Sequence, residues 1–428
     1  MNKHFDRRPR GHLSIWPRRS TCAVAIGITL GFSVSVAQTT APEVQVSTAA
    51  IPDYEFDWAR TGVFCSTCNF GNGNARLAFT DADGKLWLGY VDFNTGAFYP
   101  PDGHGVLIDT NTAPVPDFGN GPEWMASAAG SQLVYTRYTD GMPHSTSSAT
   151  VAVASQINGS WSTAVLPNSA GRATPEGSLD VNDVSPRLNY IAADKSAMFW
   201  RSTSQLGIEN TLPVSALTNG NARRWVPGTR KVIFQGQPAG GPQTPTQVYL
   251  IDTDTNVIEQ LTSDANAKVG SFMWQAPEFG NEFVFMTMAT SRKQILIYRS
   301  IADVNGVKRW TVIKTINSPT QLPFFFSPEP FAHNGRSYIV SQVSSSSDFT
   351  DKSVPTQIAM SGIDPLRNNF RMLTNDSATR RVRLDPEYFI TAQGPFIYYN
   401  RLIPQTSTSA AINDGVWRVD TKLGPPVR

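Results

Sequence analysis

Apolar runs of five to eight residues, many of them β-branched or aromatic, alternate with turn clusters along almost the whole chain. Ala75–Phe79 and Leu86–Val91 flank the turn Asp81-Ala82-Asp83-Gly84, and Lys231–Phe234 is followed by Val248–Asp252 after a Gly/Pro-rich stretch. Runs of that length bounded by turn residues read as short strands. No window of twelve or more residues holds a helical period, so an all-β chain is expected.

The strands recur in a larger unit of about fifty residues, a period typical of stacked repeats. Gln275-Ala276-Pro277-Glu278-Phe279 followed by Glu282–Thr287 and Gln294–Arg299 shows its order: an acid-aromatic opening, an apolar strand, a polar turn and a second strand. Corresponding openings are Phe56-Asp57-Trp58, Pro122-Glu123-Trp124, Pro175-Glu176, Arg224-Trp225, Ser327-Pro328-Glu329-Pro330-Phe331 and Asp385-Pro386-Glu387-Tyr388. Seven such units predict a seven-bladed β-propeller, with six blades as the alternative because the third unit is compact. The last unit runs out of chain after its third strand. Val44-Gln45-Val46-Ser47 is spare, alternates, and is expected to close the last blade as its outer strand.

Residues 1–37 read as a secretory signal peptide: Lys3, Arg7, Arg8, Arg10, Arg18 and Arg19 precede the apolar run Cys22–Val34 and a small-x-Ala site at Ser35-Val36-Ala37. Residues 38–428 then form one propeller domain, expected in the periplasm or outside the cell, without a membrane span and as a monomer. The leader holds six basic side chains and one acid, so the formal charge of +2 becomes −3 without it. The basic balance belongs to the leader, and nucleic acid is not an expected partner.

Cys65 and Cys68 stand as Cys-Ser-Thr-Cys, read as a local disulfide for an oxidising compartment. Asn69 follows where a haem motif needs His, and no second pair exists to complete a zinc set. His104, His144 and His333 are not spaced as ligand pairs, so no metal is expected. An oxygen-ligated Ca²⁺ at the repeated acids is the one cofactor to consider.

Six of the ten glutamates follow a proline, and five of those lie in the repeat, at Glu123, Glu176, Glu278, Glu329 and Glu387. Asp57 takes the matching place in the first unit and Arg224 in the fourth. Equivalent positions in a propeller fall on one ring, which predicts six carboxylates and one guanidinium round the channel. The aromatic next to each acid faces the other side of its strand. Two roles fit the acids: tying each blade to the next through backbone amides, or facing the channel to bind a ligand. Close like charges would hold some of them protonated near neutral pH.

Pro122-Glu123-Trp124 with Gly130-Ser131-Gln132-Leu133-Val134-Tyr135 resembles the TolB-type periplasmic repeat. Asp385-Pro386-Glu387-Tyr388 and Ser327–Tyr338 resemble blade openings of arabinanase-like glycoside hydrolases, which have fewer blades. That second resemblance implies an inverting hydrolysis across a gap of about 6.5–9.5 Å. Glu329 or Glu278 would be the acid, Asp385 the base, and Trp124 and Trp225 sugar platforms. The expected function is binding, and in that case hydrolysing, an extracellular carbohydrate at an acid-lined central site formed by Asp57, Glu123, Glu176, Arg224 and Glu387. The alternative is a non-catalytic scaffold that docks proteins in the cell envelope.

Overall fold

The computed structural model describes residues 40–428 apart from 50, 52–53, 58–74, 113–120, 141–143, 213–222, 237–244, 377–378 and 428. The signal-peptide reading, the Cys65–Cys68 pair and Trp58 all lie outside the described residues. Those described form seven antiparallel sheets, one per repeat, each pairing its strands mostly in chain order. The chain is a seven-bladed β-propeller. The helical turns among the described residues are three-residue 3-10 turns.

Each blade is too thin to hide its own apolar faces, so the core is divided among the spaces between blades. One cluster joins Leu86 and Leu88 of blade 1 to Trp124, Leu133 and Tyr135 of blade 2, and another joins Trp200 of blade 3 to Trp225, Val232 and Phe234 of blade 4. The same logic makes ring closure a condition of stability.

Closure is made by the predicted N-terminal strand. Glu43–Ser47 pairs antiparallel with Ile412–Asp420, setting Val44 opposite Arg418 and Gln45 opposite Trp417. The latch is also keyed by charge. Arg383 donates to both carboxylate oxygens of Glu43 at 2.7 and 2.8 Å, and the Tyr399 hydroxyl donates at 2.6 Å. Burial works to raise the Glu43 pKa, but Arg383, Tyr399 and Arg401 outweigh it and hold the carboxyl below its ordinary range.

The innermost strand of four blades carries a bulge, and the bulge explains the repeated proline. In blades 3, 6 and 7 two residues fall out of register, Thr174-Pro175, Ser327-Pro328 and Asp385-Pro386, and the glutamate then re-enters the ladder. The first residue of each bulge has φ of 48°, 40° and 54°. Proline donates no backbone N–H, so it suits a position that has left the ladder. Blade 5 makes the same bulge with Gly270-Ser271, at φ 62° for Gly270.

That register corrects the sequence frame of blade 5. Its inner strand is Lys268–Ala276, and Pro277-Glu278-Phe279 is a 3-10 turn leading to the second strand, Glu282–Ala289. The blade-5 residue that re-enters the ladder is Phe272, opposite Met286. Blade 1 shifts too: Glu55, paired with Ala78, holds the inner position and not Asp57.

Candidate functional site: the axial acid hub

The seven inner positions are Glu55, Glu123, Glu176, Arg224, Phe272, Glu329 and Glu387, each opposite a residue of its blade's second strand. Six of them line one axial void, and Glu387 lies within the field of Glu55. The hub therefore holds five carboxyls, one guanidinium and one phenyl ring. Its free volume is ≈ 30 Å³, about the share of a single water in the liquid.

Charge is distributed unevenly round the ring. Arg224 of blade 4 pairs with Glu176 of blade 3, lies 4.0 Å from Glu123 of blade 2, and sits over the Phe272 ring of blade 5 at 5.4 Å. Burial works to lower the Arg224 pKa, but the surrounding carboxylates, Glu176 first, raise it well above the usual guanidinium value. Blades 6, 7 and 1 place Glu329, Glu387 and Glu55 without such a partner among the described residues. Burial first, then neighbouring carboxylates, push Glu55 and Glu387 far above the carboxylate range, and Glu329 to about 8 despite the opposing pull of Arg224. Burial, aided by the Glu176 charge and opposed by Arg224, takes Glu123 to about 7. The Oε2 atoms of Glu329 and Glu387 are buried and accept no hydrogen bond from any described residue. At neutral pH the acids of blades 6, 7 and 1 are held as neutral carboxyls, the form that burial favours.

The residues singled out from the sequence divide into three groups. Glu123, Glu176, Arg224, Glu329 and Glu387 meet at the hub. Asp385 stands at the blade-7 bulge beside it, close enough for its charge to raise Glu329 and Glu387. Asp57 and Glu278 are elsewhere and hold blades together. Asp57 is buried against Arg76 at 2.6 Å and accepts from the Ser131 hydroxyl of blade 2 at 3.0 Å. Glu278 accepts from the Ser337 backbone N–H at 2.9 Å and from its hydroxyl at 2.8 Å, binding blade 5 to blade 6.

Trp124 and Trp225 are not open platforms. Both are nearly buried, and each indole N–H donates to the carbonyl of the hub residue in the preceding blade: Trp124 to Glu55 at 3.0 Å and Trp225 to Glu176 at 2.9 Å. Strand alternation causes this, because the acid points to the axis and the next side chain must enter the gap between blades. Gly177 holds the same place in blade 3, where a Cβ would fall 2.5 Å from the Met125 Cα.

Glu55 is the hub residue missed from sequence. A signal was present: Asp53-Tyr54-Glu55-Phe56 matches Asp385-Pro386-Glu387-Tyr388 at the acid and aromatic positions. Phe272 carried no comparable signal, since its blade has no acid at the hub. Among the described residues no three His, Cys, Asp or Glu side chains are placed to hold one metal ion.

No protein-family model matches this chain, and no curated protein does. Solved structures that align with this chain include an oligogalacturonate lyase in complex with manganese, at 11% identity and TM-score 0.48 over 89% of this chain and 96% of that one. A prolyl endopeptidase aligns at 9% identity and TM-score 0.47 over 82% of this chain, which spans about half (49%) of that protein. A TolB-like protein from Agrobacterium tumefaciens aligns at 12% identity and TM-score 0.33, covering 78% and 81% of the two chains. Structural neighbours thus include TolB-like and other propellers, while the fold itself rests on this chain's own strand pairing. No helix among the described residues is long and apolar enough to cross a membrane.

Proposed function

We propose that this protein is a secreted recognition propeller that binds an extracellular carbohydrate on its outer surface, around a hub that is structural. One observation carries the structural role of the hub: the void that four of its carboxyls line holds only ≈ 30 Å³, too little for a sugar ring. The tryptophans that could have stacked on sugar are spent on neighbouring carbonyls. The test is a glycan-array screen of purified protein and its Glu329→Gln variant. Equal binding by both, with no turnover of any bound glycan, supports the proposal. Loss of binding in the variant places the ligand at the hub and overturns it.

A second reading has its own support. Glu329 holds its proton near neutral pH and lies within the field of Asp385, which suits a general acid facing a base. On that reading the two act as acid and base in an inverting hydrolysis. Turnover of a glycan that disappears in Glu329→Gln would favour it.

A further inference from the structure

A second cavity lies outside the hub, between blades 5 and 6. Its free volume is ≈ 600 Å³, inside the range of about 300–1,000 Å³ usual for small-ligand sites. It exists because the two outer strands differ in length. Blade 5 ends on the ten-residue strand Lys308–Asn317, whereas the fourth strand of blade 6 is only Arg371–Met372. The 363–370 segment stands in for the missing strand and leaves a trough beside the end of the blade-5 strand.

The trough is fixed in place by a lysine. Lys314 projects from the blade-5 strand and donates to the carbonyls of Gly362, Asp364 and Arg367 at 2.7, 3.0 and 2.8 Å. An ammonium has three donors, and all three are used here. Lys314 therefore pins the two walls together and is not available to a ligand. Burial lowers its pKa, in keeping with a head group taken out of water.

What remains in the walls has a definite chemistry. Thr315, Asn317 and Asn368 supply a hydroxyl and amides, Arg367 a guanidinium, and Phe370 an aromatic surface, while the Ser318 hydroxyl is spent on the Lys293 and Pro323 carbonyls; among the described residues no acidic side chain lines the trough. Amides and hydroxyls both donate and accept, as sugar hydroxyls do. Asn317 gives part of this capacity to Gln294, whose amide donates to it at 2.9 Å. Arg367 is more than half exposed, and its contact with Asp364 is 3.3 Å, a surface pair that costs little to exchange.

We propose that this trough is the carbohydrate site, and that it takes an oligosaccharide bearing a carboxylate, which Arg367 would receive in a charge-assisted pair. The inference rests on the recognition reading above and adds to it a place and a ligand class. Its test is calorimetric titration with a short uronic-acid oligomer and with a neutral hexose oligomer of equal length. The proteins are the wild type, Arg367→Ala, Asn368→Ala and Glu329→Gln, each shown to be folded by its circular dichroism spectrum. Wild type is expected to prefer the uronic oligomer. Arg367→Ala should weaken binding about tenfold or more and lose that preference, the scale of one charge-assisted hydrogen bond. Asn368→Ala should lose less, and Glu329→Gln nothing. Binding that both trough variants retain would overturn the trough and leave the recognition reading intact. Failure of the wild type to bind either oligomer would overturn the assigned ligand class, and a blank glycan array as well would overturn the recognition reading. Capture of a peptide in the trough would also refute the inference.

Discussion

Glu43 and Glu387 both belong to the blade that closes the ring, and both are largely withdrawn from water, yet their surroundings act in opposite senses. Glu43 meets Arg383 in a two-point contact, with Tyr399 and Arg401 close by, and its carboxyl stays ionised. Glu387 meets other carboxyls, has a buried oxygen without a donor among the described residues, and stays neutral. Burial disfavours charge at both places, and the partner decides the outcome. The latch is thus a charged lock, and the hub acids of blades 6, 7 and 1 an uncharged cluster.

Breaking the latch should have the largest effect. Glu43→Gln takes from the fully buried Arg383 its two-point partner, leaving it Asp376 at 3.0 Å, and also removes the carboxylate near Arg401; it should cost about 3–5 kcal/mol in urea unfolding. The Glu43 pKa is lowered in the fold, so its contribution is present above the ordinary carboxylate pKa and is lost as pH falls through the folded value. The difference between variant and wild type should therefore shrink in acid.

Arg224→Met comes next and should sharpen the contrast within the hub. Removing the guanidinium strands Glu123 and Glu176, at a cost of about 2–4 kcal/mol at pH near 8. The loss should be smaller near pH 5, where Glu123, raised to about 7, can hold a proton instead. An equal loss at both values would mean that Arg224 acts by packing on Phe272 and not by charge.

Glu387→Gln should do the reverse of Glu43→Gln. An amide keeps the shape of the neutral carboxyl and cannot ionise, so the variant should match wild type in acid and exceed it by on the order of 1–2 kcal/mol above pH 8. The smallest effect is expected from Trp225→Phe, which removes one indole donor to Glu176 and should cost about 1 kcal/mol with little pH dependence.

The repeat and the closing strand could be read from sequence because each follows from local rules: strand alternation, a fifty-residue period and a spare strand at Val44–Ser47. The hub was legible where a bulge put proline ahead of glutamate, as at Glu176, Glu329 and Glu387. It was misread at Glu278, because Pro-Glu-Phe also suits the first turn of a 3-10 segment, and only pairing in space separates the two. Glu55 escaped notice because Tyr54 stands where blades 2, 3, 6 and 7 have proline. The contrasting roles of the acids were not accessible either. Whether a carboxylate accepts from Ser337 or faces other carboxylates depends on the neighbouring blade, some sixty residues away.

The neutral acid cluster is tested most directly by urea-unfolding free energies measured from about pH 5 to pH 9 for wild type and the Glu329→Gln/Glu387→Gln double variant. Raised pKa values in the fold mean that wild type is most stable below the ordinary carboxylate pKa and loses that advantage as pH rises through about 8, the value for Glu329. The account predicts this fall in wild type and a flatter curve for the double variant, with the two meeting in acid. A wild-type curve without the fall, and a double variant less stable at every pH, would show that these carboxyls are ionised and paired, and would contradict it.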